Sequence, residues 1–298
     1  MNGLLCHSSF ILHPFSMKRV VWTALGFTLL LIVAMFVLAQ VIRRTGMFFP
    51  ERYPAGMWVT RLAVAPTDVA FRSDDGVQLH GWFFQASGTA PPLLIWFHGN
   101  AGNITERAPT AAELARRGVS VLLFDWRGFG KSEGNASESG LYHDALAAYD
   151  FAVRELHPSS IALYGESVGG PYAAYVASKR KADCVVIENS FPSLRELGNT
   201  LYRPFPLGWF APFALTTARW LNEARLPVLV MHGRHDQVIP FALGAALYDQ
   251  LLGPKQLFVS EIAGHCEIPI LDSSRYYERV VPFVITKGRA ETIRQPNQ

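Results

Sequence analysis

Five short runs of this chain are apolar almost throughout: residues 92–98, 119–125, 161–165, 184–188 and 227–232. A strand with one face in water alternates polar and apolar residues, so a run without alternation has to be covered on both faces. Between the runs lie segments with helical spacing, at 106–117 and at about 140–155, 168–180 and 241–252. Gly118 closes the first of them, as a residue free to take a left-handed conformation does. Strands separated by helices require right-handed crossovers. The expected fold is therefore α/β, a mostly parallel sheet with helices on both faces, over residues 66–287. A hairpin is expected from 69–71 and 77–84 around Asp74-Asp75-Gly76, because Asp-Gly suits the positive φ of a tight turn. A strand at 256–262 and a helix at about 271–286 complete the pattern, and residues 288–298 form a polar tail.

The chain has 298 residues, half of them apolar, enough for one such domain with appendages. Residues 20–42, 23 in succession, carry no charge. As a helix rising about 1.5 Å per residue they span roughly 34 Å, against about 30 Å for a hydrocarbon core. Val37-Leu38-Ala39 has the small residues of a signal cleavage site, but the apolar region of a signal is shorter, about 7–15 residues. The length favours an uncleaved single-pass anchor, with 1–19 before it and a linker at 43–65 after it. Lys18 and Arg19 precede the segment and Arg43 and Arg44 follow it, so charge leaves its orientation open. Met17-Lys18-Arg19 reads as a natural start, which would make 1–16 an upstream extension. Those four basic residues exceed the formal net charge of +3. The rest is near neutral, and no nucleic-acid partner is expected. Cys6, Cys184 and Cys266 have neither disulfide-pair nor zinc spacing.

The chemistry concentrates in Gly165-Glu166-Ser167-Val168-Gly169-Gly170, directly after a strand and opening a helix. A nucleophile on so sharp a turn needs small neighbours two residues before and after it, which Gly165 and Gly169 supply. Serine also needs a base, and the base an orienting acid. In the chain order serine, acid, histidine, the ends of two later strands offer Asp236 and His265. Carboxyl ends of parallel strands share one sheet edge, so these loops converge on Ser167. Glu188 is a rival acid. Asp125 breaks the chain order and is assigned to the turn at 126–130, while His98, His232 and His235 read as structural. The loop His98-Gly99-Asn100-Ala101-Gly102-Asn103 follows a central strand, and an oxyanion needs two backbone N–H groups aimed at one point. Asn100 and Val168 are the expected donors. Gly130-Lys131-Ser132 resembles the end of a phosphate-binding loop, but Asp125 stands where that motif needs glycine. Neither a metal nor any other cofactor is expected.

Together, HGNAGN, DWRGFGKSEG, YGESVGG, HGRHDQVIP and AGHC resemble the alpha/beta-hydrolase superfamily over roughly residues 66–287. Within it the chain is similar to a small N-terminally anchored group of protein depalmitoylases and bacterial serine aminopeptidase-like hydrolases. The resemblance implies a serine esterase, thioesterase or amidase without cofactor. Cys266 departs from it, standing where a polar residue is expected after the histidine. Residues 189–222 occupy the place of a cap and are rich in aromatics, including Phe191, Trp209, Phe210 and Phe213. Phe191, Trp209 and Phe210 are expected to contact substrate. An apolar cap beside an anchor favours an acyl or lipid-like substrate over a sugar or nucleotide, so a hydrophobic acyl ester or thioester is the leading substrate and a peptidase or amidase activity is the runner-up. A tethered binding protein without catalysis is disfavoured, because a dead scaffold has no need of triad and oxyanion loop together.

Overall fold

In the computed structural model, residues 14–45, 47–58, 61–211 and 214–289 are described. Cys6 and Phe213 lie outside them, as do positions 1–13 of the N-terminal segment and most of the tail. The chain divides into two compact units, Met1–Thr45 and Gly46–Gln298. In the first, α1 runs Pro14–Thr45. Its stretch Met17–Val37, with mean hydropathy 2.5, is long and apolar enough to cross a membrane.

In the second unit the apolar runs become strands buried from end to end: β4 (Leu93–Phe97), β6 (Ser120–Phe124), β7 (Ile161–Glu166), β8 (Cys184–Glu188) and β9 (Val228–Gly233). Alternate residues feed two cores. In β4, Leu93, Ile95 and Phe97 join one core, while Leu94 and Trp96 join the other. Two apolar clusters on opposite faces are the physical meaning of an unalternating strand. With β2 (Thr67–Arg72), β3 (Gln78–Phe84) and β10 (Lys255–Ser260) the order is β10-β9-β8-β7-β4-β6-β3-β2. All neighbours run parallel except β3, which is antiparallel to both β2 and β6. The expected fold class is observed. The hairpin closes as expected around Gly76, at φ +89°.

The helices are α2 (Ala108–Arg116), α3 (Glu138–Phe151), α4 (Gly169–Lys179), α5 (Leu194–Leu201), α6 (Thr217–Ala224), α7 (Phe241–Gln250), α8 (Ile268–Leu271) and α9 (Ser273–Ile285). Gly118, at φ +94°, follows α2 as expected. The helix expected at about 271–286 is two pieces meeting at Asp272, whose carboxylate accepts the Ser260 hydroxyl at 2.8 Å. The helix expected at about 140–155 finishes as one π turn over Ala152–Leu156.

Part of the stretch read as a linker is built into the second unit. β1 (Phe49–Pro50) pairs in parallel with β5 (Ala101–Gly102). The Phe49 N–H donates to Asn100 O at 2.7 Å, Glu51 N–H to Gly102 O at 3.0 Å and Tyr53 N–H to Gly130 O at 2.9 Å. Asn103 answers from the loop, its amide donating to Glu51 O and Ala55 O. Periodicity cannot reveal such a strap, because two-residue pairings leave no pattern. Removing residues 1–45 should leave the melting temperature of the second unit unchanged. Removing 1–58 deletes these five bonds and buried Phe48, a loss of about 5 kcal/mol from the bonds alone at roughly 1 kcal/mol per bond. Thermal denaturation of the two truncations should differ by roughly 10–20 °C.

Candidate active site

β7 ends at Glu166 and α4 begins at Gly169, leaving two residues to reverse the chain. Ser167 takes φ +53°, a left-handed conformation costly for a residue with a side chain. It is held there by its N–H donating to Glu188 O at 2.8 Å and its carbonyl accepting Gly170 N–H at 3.0 Å. A Cβ on Gly169 would lie 1.9 Å from Phe97 O, and one on Gly165 2.5 Å from the Gly170 Cα. The turn therefore admits only glycine at both positions.

Two loops at the same sheet edge reach this serine. The Ser167 hydroxyl lies 3.0 Å from His265 Nε2, and His265 Nδ1 lies 2.8 Å from Asp236 Oδ2. Asp236 is buried. Its Oδ1 accepts the N–H groups of Val238 and Ile239 at 2.9 and 2.8 Å, and its Oδ2 accepts the Asn189 amide at 2.6 Å. Burial alone would raise its pKa. Hydrogen bonding from His232, His265 and Asn189 outweighs it and holds the carboxyl well below the usual range. Asn189 and this use of His232, 3.3 Å from Asp236, carry no sequence signal. His232 also lies 2.8 Å from Ile239 O through the same nitrogen.

The rival groups have other partners. Glu188 accepts the Tyr164 hydroxyl rather than meeting His265. Asp125 Oδ1 accepts the Ile104 N–H at 2.9 Å, so it fixes the end of the 98–103 loop in addition to bordering the 126–130 turn. His98 is fully buried, which pushes its pKa down to about 3, and His235 is exposed. Among the described residues no three His, Cys, Asp or Glu side chains cluster to hold a metal.

The structure brings the 98–103 loop over the serine turn: a Cβ on Gly99 would lie 3.5 Å from Ser167 Cβ and 3.1 Å from Glu166 Oε1. Among the described residues, the N–H groups of Asn100 and Val168 meet no acceptor. The Asn100 side chain faces the strap, donating to Met47 O at 2.5 Å.

A buried ion pair joins loop and turn. Arg107 Nη2 donates to Glu166 Oε1 at 2.7 Å, its Nε reaches both Glu166 oxygens at 3.2 Å, and its Nη1 donates to Ala101 O and Asn103 O at 3.3 Å. Trp96 Nε1 donates to Glu166 Oε2 at 3.1 Å. Burial opposes ionisation of Glu166, but the Arg107 charge and hydrogen bonds bring its pKa down to about 2. The sequence carries a signal for this pair: Arg107 stands beside the N-terminus of α2, where its charge opposes the helix dipole and needs a compensating anion.

Ser167 and His265 open on a cleft of about 350 Å³, also lined by Trp96, Arg107, Glu188, Cys266 and Ile270. Cys266, at φ +57°, has its thiol pKa pushed up by burial. The expected cap contacts need correction. Phe191 is fully buried in the core on the α4 side, and neither it nor Trp209 lines this cleft. Trp209 is 67% exposed, with the Arg195 guanidinium 4.5 Å from its ring centre. The Phe210 side chain lies outside the described residues. The cleft is built on the other side, between the 98–103 loop with α2 and the His265 loop with α8.

A family model described as serine aminopeptidase, S33, matches residues 89–205. An uncharacterized protein of Mycobacterium tuberculosis is 34% identical over 255 residues, 85% of this chain and 90% of its own length. The lysophosphatidylserine lipase ABHD12 of Danio rerio is 30% identical over 196 residues, 59% of this chain and 51% of that protein. Among solved structures, a Pyrococcus furiosus esterase superposes with a TM-score of 0.67 at 21% identity, over 80% of this chain and 97% of that one.

Breaking a buried ion pair leaves an uncompensated charge, so Arg107→Met should cost about 3–5 kcal/mol in urea denaturation. Arg107→Met with Glu166→Leu should recover most of it. The folded Glu166 pKa lies below its usual 4.5. The pair's contribution is therefore complete above about pH 4.5 and lost as pH falls towards 2.

Proposed function

Because the chain belongs to the alpha/beta-hydrolase superfamily, we propose that it is a membrane-anchored serine hydrolase of carboxylic esters or thioesters with a hydrophobic acyl group. The observation that carries this reading is the unbroken relay from Ser167 Oγ through His265 to a carboxylate that His232, Asn189 and the N–H groups of Val238 and Ile239 also surround. The esterase and lipase character of the relatives supports the choice of bond. On the division of the chain, residues 20–42 anchor it and residues 66–287 carry the catalytic domain.

Ser167 Oγ attacks the acyl carbon while His265 Nε2 takes its proton, and Asp236 stabilises the imidazolium from the Nδ1 side. The negative charge that develops on the former carbonyl oxygen is met by the N–H groups of Asn100 and Val168. The N-terminus of α4 adds its dipole. When the tetrahedral intermediate collapses, the leaving group departs with the proton from His265 Nε2, giving an acyl-Ser167 ester. Water, deprotonated by the same histidine, then releases the acid and regenerates the serine. Amide hydrolysis would use the same steps, and the aminopeptidase description of the family model is what favours that second reading.

Ser167→Ala should abolish labelling by a fluorophosphonate probe and lower turnover of p-nitrophenyl esters by a factor on the order of 10³ or more. Labelling that persisted would reject the nucleophile. Asp236→Asn should cost on the order of 10⁴ in turnover, because an amide cannot hold His265 in the required tautomer. Faster cleavage of amino-acyl anilides than of esters would move the assignment to a peptidase. Full-length protein should stay in the membrane fraction through salt and carbonate washing, since an apolar helix is held by burial and not by charge. Release of a product shortened near Ala39 would instead identify a cleaved signal.

A further inference from the structure

Glu188 is the acid of this site that the triad leaves unused. It ends β8, beside the strand that carries the nucleophile, and is 1% exposed, yet it lines the cleft together with Ser167 and His265. Its two oxygens have different surroundings. Oε2 accepts the Tyr164 hydroxyl, which in turn accepts the Tyr276 hydroxyl at 3.1 Å. Oε1 has no partner among the described residues. A buried polar oxygen without a partner is costly to a fold, so a ligand that pairs with it is favoured.

The groups facing this carboxyl come from every neighbouring element. Glu166 stands at the end of β7 and Asp236 in the loop after β9; Tyr164 lies in β7 and Tyr276 in α9. His265 and Cys266 follow β10. Arg107, beside α2, is engaged by Glu166 and Glu106. Burial, joined by the charges of Glu166 and Asp236, pushes the Glu188 pKa up to about 8. At neutral pH Glu188 therefore carries a proton. With Oε2 accepting from Tyr164, that proton belongs on Oε1, a donor with no acceptor among the described residues.

We propose that Glu188 is a substrate-binding residue, its Oε1 hydrogen-bonding an uncharged oxygen of the substrate, as in the hydroxyl groups of a polyol ester. Glu106, Glu166 and Glu267 line the same cleft, and Arg107 is the one Arg or Lys among the described lining residues. An anionic head group would meet net negative charge, whereas a neutral oxygen meets a donor. The proposal rests on the Ser167 hydrolase reading for its kinetic assay.

The test compares glycerol monobutyrate with ethyl butyrate, on the full-length protein in detergent. A hydrogen bond lost from a site built for it is a factor on the order of ten or more in kcat/KM. The wild type should prefer the glycerol ester by about that factor. Glu188→Gln should keep the preference, because its amide nitrogen can donate where Oε1 does while its carbonyl accepts from Tyr164. Glu188→Leu should bring the ratio close to one. Binding of 1-O-butylglycerol to Ser167→Ala, read by calorimetry, should show the same dependence on Glu188. That measurement decides the proposal even if the wild type fails to label with fluorophosphonate, a result that would reject the nucleophile alone. A Glu188→Leu variant that still labels and keeps the glycerol preference would overturn the proposal. Equal loss of preference in Glu188→Gln and Glu188→Leu would overturn it too, assigning the residue a packing role.

Discussion

The Arg107–Glu166 pair fixes the spacing on which this site depends. One oxyanion donor is expected from the 98–103 loop and the other from the residue after the nucleophile, and two N–H groups stabilise one oxygen only if their separation is held to a fraction of an ångström. Backbone pairing alone does not hold the loop to the serine turn. The guanidinium does, with one edge on Glu166 and its Nη1 on Ala101 O and Asn103 O. Desolvating two charges is unfavourable, and such a pair can be no better for stability than apolar residues of equal volume. Its geometric effect is the better reason for its presence. The strap works on the same loop from outside, through Met47, Phe49 and Glu51, so the loop is gripped on two sides.

Three acids at neighbouring strand ends acquire different states from nearly the same depth. Glu166 faces an arginine and is ionised. Asp236 is ionised because backbone N–H groups, an amide and two imidazoles surround it. Glu188 is fully buried, receives only one neutral hydroxyl and sits near the other two, so its pKa is the one pushed up, to about 8. Mutual repulsion makes this division stable, since ionising two of the three raises the cost of ionising the last. On the proposed reading, that leaves Asp236 to stabilise the histidine cation and Glu188 to hydrogen-bond substrate.

Much of this was legible in the sequence, for physical reasons that also mark where legibility ends. Strands buried on both faces leave unbroken apolar runs, and the glycines around Ser167 are forced by backbone contacts, so the sheet and the serine turn could be read directly. The convergence of the acid and base loops on the serine followed from parallel strand ends sharing one edge. What escaped depends on contacts between residues far apart in sequence and without periodicity: Asn189 on Asp236, Glu166 on Arg107, and the pairing of residues 49–50 with 101–102. The cap aromatics misled for a related reason. Composition marks a segment as apolar but does not say which surface takes it up.

That correction changes where substrate choice is expected to reside. Phe191 is in the core, and Trp220 stacks edge-on with Tyr142 and Tyr175, so these cap aromatics fasten the segment to α3 and α4. On the opposite side of Ser167 the cleft wall is mixed. Trp96 and Ile270 offer apolar surface while Glu188, Glu106 and Glu267 offer oxygen atoms. A wall of that kind discriminates mainly by hydrogen bonding and charge, because a missing partner for a buried polar atom costs more than a missing methylene. Acyl-chain length should then matter less than the polarity of whatever lies against the α2 and α8 side. A hydrolase built this way would sort esters by the oxygen atoms near the scissile bond.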